Sequence, residues 1–153
     1  MTSESLKATI QSDLHTAIRE RDQVRSGTLR MVLSAITTEE VAGESARELS
    51  DDEVLKVVAK EAKKRKEASV AYVGAQRPEL AAKEDAELAV IEGYLPAQLD
   101  DAQLEQIVAD AIAETGASGM AQMGQVMKVA GAKVAGRADG GRVAAIVKRT
   151  LAG

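Results

Sequence analysis

The sequence predicts an all-α protein, with four helices up to about residue 96 and three shorter ones after it. Three observations predict it. Apolar residues recur at three- and four-residue spacings along almost the whole chain, which places them on single helix faces. The 45% hydrophobic content is nearly all aliphatic, with 28 Ala, two Tyr, and no Phe or Trp in 153 residues. Small side chains suit closely spaced helices, whereas sheets draw on β-branched and aromatic residues. Two capping boxes, Ser50 with Glu53 and Asp100 with Gln103, mark helix starts.

The first helix is expected from about Ser3 to Arg21, with Leu6, Ile10, Leu14 and Ile18 drawing one apolar stripe. A second, from about Asp22 to Val41, turns Leu29, Val32, Leu33 and Ile36 inward, and Gly43 is a plausible stop. The Ser50 cap and the acidic trio Asp51–Glu53 open a long third helix to about Tyr72. Its inner face is read as Leu55, Val58, Ala59, Ala62 and Ser69, with Lys66 lying along it. Pro78 suits the first turn of a fourth helix, on which Leu80, Glu84, Leu88, Ile91 and Leu95 share a side. Pro96 disfavours helical geometry at Leu95, so the chain is divided into domains 1–96 and 97–153. Beyond it, Leu104, Ile107, Val108, Ala111 and Ile112 line a fifth helix, and Gly116 to Gly119 form a turn. Met120, Met123, Met127, Ala130 and Val134 line a sixth that Gly136 closes; Asp139 caps a seventh carrying Val143, Val147 and Leu151.

Composition excludes several chemistries. With no Cys and one His, neither a disulfide framework, a Cys nucleophile nor a multi-His zinc site can form. The polar start Thr2-Ser3-Glu4-Ser5 does not read as a signal peptide, and no apolar run approaches a membrane span, so a cytoplasmic protein without membrane contact is expected. Glu84, Glu87 and Glu92 fit helix-surface ion pairing better than a catalytic dyad, and His15 reads as a surface residue. The stretch Gly136-Arg137-Ala138-Asp139-Gly140-Gly141 lacks the spacing and Lys-Ser/Thr of a phosphate-binding P-loop. No catalytic residue, metal ligand or cofactor site is assigned.

Charge is uneven along the chain. Residues 1–119 hold 14 Lys/Arg against 23 Asp/Glu (−9), whereas residues 120–153 hold 6 against 1 (+5). Lys128, Lys133, Arg137, Arg142, Lys148 and Arg149 make up the basic set, and Arg142 and Arg149 project to nearly one side of the last helix. Such groups suit phosphates, and equally a solvated helix face. Gly124 and Gly131, seven apart on one helix side, suggest close approach by a neighbouring helix or a ligand backbone. A second basic face, Lys56, Lys60, Lys63 and Lys64, lies on the outer side of the third helix, with Arg65 nearby and Glu61 and Glu67 interleaved. It reads as a salt-bridged solvent face. With Tyr72 and Tyr94 the only aromatics, RNA recognition by base stacking has no support.

Several segments carry a family resemblance. Leu29-Arg30-Met31, Ser34-Ala35-Ile36, the stretch Lys63 to Glu67, Arg77, Glu84-x-x-Glu87-Leu88 and Tyr94-Leu95-Pro96 resemble the helical domain of the YqeY family. Met123-Gly124-Gln125-Val126-Met127, Gly136-Arg137-Ala138-Asp139-Gly140 and Val143 to Leu151 resemble the tail domain of GatB, a subunit of the glutamine-dependent aminoacyl-tRNA amidotransferase. Gln125 stands where that motif commonly has Lys. The resemblance implies a four-helix unit followed by a three-helix GatB-tail-like bundle. It also implies contact with tRNA, since the GatB tail is a tRNA-contacting module while the carbon–nitrogen ligase chemistry resides elsewhere in that complex.

The expectation is therefore a non-catalytic adaptor for tRNA or another structured RNA. The six cations would meet phosphates, and Gly124, Gly131 and Gly136 would permit approach. Two alternatives stand beside it: a protein-interaction module, and an amidotransferase-associated activity, with glutamine as amido donor, that needs a partner.

Overall fold

Five helix starts are built the same way, by a side-chain oxygen that accepts a backbone N–H of the first turn. Ser5 accepts from Ala8, Asp22 from Arg25, Ser50 from Glu53, Asp100 from Gln103 and Asp139 from Gly141. Each such cap contributes about 1 kcal/mol. The computed structural model describes residues 4–153. Its helices are α1 (Leu6–Arg19), α2 (Gln23–Glu40), α3 (Asp51–Gly74), α4 (Pro78–Glu92), α5 (Asp101–Thr115), α6 (Met123–Val134) and α7 (Gly140–Ala152). A 3-10 turn, Met120–Gln122, precedes α6, and the described residues hold no strand. Thr2 and Ser3, expected in the polar start and at the head of the first helix, lie outside the described residues.

Both capping boxes close reciprocally. Pro78 sits at the start of α4, which has no side-chain cap. Gly116 (φ 66°) caps α5 in the left-handed region, and Gly136 (φ 80°) follows Ala135 (φ 49°) after α6.

The Glu53 carboxylate accepts two bonds from Arg47, at 3.1 and 2.7 Å, besides the Ser50 N–H. The Arg47 guanidinium above all, with the Ser50 amide, holds the Glu53 carboxyl down at about 2 from its ordinary 4.5. A lowered carboxylate pKa contributes stability that is full above the unfolded value and lost as pH falls through the folded one. Glu53→Gln, which can still accept from Ser50, is expected to flatten the acid limb of stability between about pH 4.5 and 2. Circular-dichroism melts across that range check this, and an unchanged limb counts against the assignment.

Two separate cores form, one in the unit ending at Leu95 and one in the unit beginning at Pro96. Ile10, Leu29, Val32, Ile36, Val54, Val58, Ala62 and Ile91 make the first. Leu99, Leu104, Val108, Ala111, Val126, Ala130, Val134, Val143, Ile146 and Val147 make the second.

Some inward stripes differ from expectation. On α1, Ala17 is buried and Ile18 is 46% exposed. Steps of four residues drift about 40° each, so Ile18 has turned about 120° away from Leu6 while Ala17 stays in line. On α3 the buried line is Val54, Val58, Glu61, Ala62 and Arg65. Leu55, Ala59 and Ser69 are half-buried, and Lys66 is exposed. Met120, in the 3-10 turn, is exposed, and Val126 takes the inner place on α6.

Candidate functional site

Six cations were candidates in the C-terminal unit, and their surroundings divide them. Arg137 is used by its own chain: its Nε donates to Val134 O (3.0 Å) and its Nη2 to Lys133 O (2.8 Å), while its carbonyl accepts from Leu99 N. This closes the C-terminus of α6 by satisfying carbonyls that the helix leaves open. Arg142 ties the residues before α5 to α7, donating to Leu99 O (3.2 Å) and to Asp101 Oδ1 (2.7 Å). Arg149 pairs with Glu105 (2.9 Å) and Lys133 with Glu114 (3.0 Å). Lys128 and Lys148 make no ion pair among the described residues and are exposed.

The charge of this unit corrects the picture drawn from residues 120–153 alone. From Pro96 onward the chain has 6 Lys/Arg and 6 Asp/Glu, a net charge of zero, and residues 1–95 have 14 and 18, the full −4. The division at residue 119 cut through a folded unit and set the carboxylates of α5 apart from the cations they face.

The glycines also read differently in place. A Cβ at Gly124 or Gly131 meets nothing within 4 Å, so no neighbouring helix accounts for either. Gly124, Lys128 and Gly131 follow the i, i+4, i+7 spacing on the solvent side of α6, leaving helix backbone bare around an unpaired ammonium. Gly136 serves the left-handed turn after α6 and is likewise open. Beside this face a shallow groove of about 610 Å³ is lined by Glu114 and Thr115 of α5 and by Gln125, Lys128, Val129, Ala132 and Lys133 of α6.

In the N-terminal unit, Lys56, Lys60, Lys63 and Lys64 are exposed on α3, as expected. The residues missed by sequence reasoning lie behind them. Arg65 is 7% exposed, and its Nη1 donates to Glu61 Oε2 at 2.7 Å. Its Nε lies 3.5 Å from Glu87 Oε2, close enough for ionic attraction but without a hydrogen bond. Glu61 and Glu87 are themselves buried. This triad joins α3 to α4, and its Glu61 and Arg65 wall one side of a groove of about 520 Å³ between α2 and α3, lined also by Arg30, Met31, Ser34, Ala35, Glu39 and Lys60. The spacing of Glu61 and Arg65, four apart on one helix, is the sequence signal for half of the triad.

Glu84 is half-buried, apart from the Arg65 pairing that Glu87 makes, and His15 is exposed. No group of three His, Asp or Glu placed to hold a metal occurs among the described residues. Nor does any described helix have the length and apolarity to cross a membrane. Tyr94 donates its hydroxyl to Asp13, and burial together with that bond holds the phenol well above its usual pKa.

Several of the segments that resemble the YqeY helical domain meet at the groove of the N-terminal unit. Arg30, Met31, Ser34 and Ala35 line the groove, Lys64 and Arg65 form its α3 side, and Glu87 stands behind Arg65. Comparison with known proteins agrees. The chain is 33% identical over 93 residues to a fission-yeast protein, "Uncharacterized protein C22F3.15" of Schizosaccharomyces pombe, a match covering 60% of this chain and 73% of the yeast protein. A family model described as Yqey-like protein matches residues 7–151. With nearly its whole length matched, the chain belongs to the YqeY family.

Proposed function

We propose that this protein is a non-catalytic RNA-binding adaptor of the cytoplasm that holds tRNA or another structured RNA by its phosphates on the outer face of α6. The observation that carries the reading is Lys128, unpaired and exposed, between two glycines that nothing in their own unit requires. Glycine inside a helix costs about 1 kcal/mol against Ala, and a bare helix face lets a phosphodiester backbone come close. Lys133 and Gln125 on the adjoining groove add a cation and an amide. The resemblance of this half to a tRNA-contacting tail supports the same ligand. Without aromatics in the unit, contact is through backbone and shape.

The paired cations give this reading an unusual test. Arg149–Glu105 is exposed and Lys133–Glu114 pairs a half-buried lysine with an exposed carboxylate, and such pairs near solvent contribute at most about 1 kcal/mol. Phosphate can displace either carboxylate, but each carboxylate remains as a competitor. In titrations of full-length protein with tRNA over a salt series, Glu114→Gln and Glu105→Gln are expected to tighten binding. Lys128→Ala is expected to weaken it and to flatten the salt slope by about 0.7 to 0.9 for each phosphate that it leaves without a cation. Gly124→Ala with Gly131→Ala is expected to stabilise the fold by about 1–2 kcal/mol and still weaken binding. No binding by the unaltered protein at low salt, or carboxylate variants that bind no better, overturns the proposal.

A further inference from the structure

The groove between α2 and α3 has a make-up that neither the fold nor RNA contact on α6 explains. Its floor is apolar, with Met31, Ala35 and Val57 side by side, and Met31 stays 42% exposed. Cations stand on both rims, Arg30 on α2 and Lys60 and Lys64 on α3, and outnumber the one exposed carboxylate of the lining, Glu39 at the far end of the α2 side. Arg30 and Lys60 make no ion pair among the described residues, and Lys64 reaches Glu61 only at 3.7 Å. Arg65, held by Glu61 and Glu87, fixes the inner wall. From Arg30 to Thr38 the α2 side of the groove runs just over two helical turns, about 12 Å.

We propose that this groove docks an acidic amphipathic helix of a partner protein, with small apolar side chains on the floor and Asp or Glu on the flanks against Arg30, Lys60 and Lys64. The apolar floor decides the class of occupant. Phosphates need cations alone, and the groove offers no aromatic face for a base, whereas a helix laid in a groove uses both an apolar stripe and flanking charge. The net −4 of residues 1–95 also disfavours a polyanion here, while a short acidic flank meets only the local rim. Met31 suits the floor because an unbranched thioether adapts to differing apolar partners. This proposal does not depend on RNA binding by α6.

The test is selection of displayed random 16-residue peptides on the full-length protein, followed by titration of the enriched peptides. Enriched sequences are expected to place apolar residues three and four apart, flanked by Asp and Glu. Amide shifts on binding should fall in residues 30–39 and 57–65. Arg30→Ala with Lys60→Ala removes two exposed side chains that hold nothing in the fold, and should weaken binding about tenfold. Lys128→Ala should leave peptide binding unchanged. Enrichment of neutral or basic peptides, no enrichment, or shifts outside the groove overturns the proposal. So does tRNA moving the same groove amides with loss in the Arg30/Lys60 variant, which would assign the groove to RNA.

Discussion

Arg65→Met is expected to cost the N-terminal unit about 3–5 kcal/mol in urea denaturation. The expectation follows from what stays behind. Glu61 and Glu87 are 7% and 9% exposed, and Arg65 is the cation placed between them. Lys64 does not take its place, because its ammonium stands on the solvent side, 3.7 Å from Glu61 and out of the Glu87 pairing. Removing the guanidinium leaves two carboxylates short of water and near one another, and that penalty exceeds the worth of the original attraction. The same reasoning predicts that Glu61→Leu, Arg65→Met and Glu87→Leu together restore most of the loss, since an apolar replacement of similar volume has no charge to desolvate. A single variant within about 0.5 kcal/mol of the unaltered protein would show the triad to be wet.

The triad also marks where sequence reasoning reaches its end. Helical periodicity identifies the faces of α2 and α5 because Leu29, Val32 and Ile36, like Leu104, Val108 and Ala111, are both periodic and apolar. On α3 the same period continues through Val54, Val58, Glu61 and Arg65, but hydropathy assigns the last two to solvent. Their burial depends on Glu87, which lies on another helix and reaches Arg65 only through the packing of α3 on α4. Likewise the helix caps were legible, because Ser50–Glu53 and Asp100–Gln103 are local. The pairs Arg142–Asp101 and Arg149–Glu105 span 41 and 44 residues, so the apparent basic tail kept its full charge until the fold placed α5 beside it. Local chemistry is written in the sequence; neutralisation at a distance is written in the packing.

Leu104→Ala is expected to remove about 3 kcal/mol from the C-terminal unit, and with it the RNA binding proposed for α6. Leu104 is fully buried and is the largest side chain of that unit among those with under 2% exposure; the others are Val108, Val126, Val143, Val147, Ala111 and Ala130. The valines are stiff at χ1 and short, while the longer side chains packed against this core, Ile112, Met123, Met127 and Leu151, can fill part of the space, which sets the loss near the lower end for a buried Leu→Ala change. A unit of 58 residues has roughly 3–9 kcal/mol of stability in all, so the loss falls near the point of unfolding. Hydrogen exchange of the full chain should show protection falling across α5, α6 and α7 while α1 to α4 keep theirs, because Leu104 packs only within the second core. The Lys128 face exists only while Val126, Ala130 and Val134 hold α6 against its neighbours, so tRNA affinity should fall with that protection. If protection drops while tRNA still binds as before, the RNA surface lies elsewhere on the chain. If protection survives intact, the core is able to close around the missing side chain, against the stiffness of its valines.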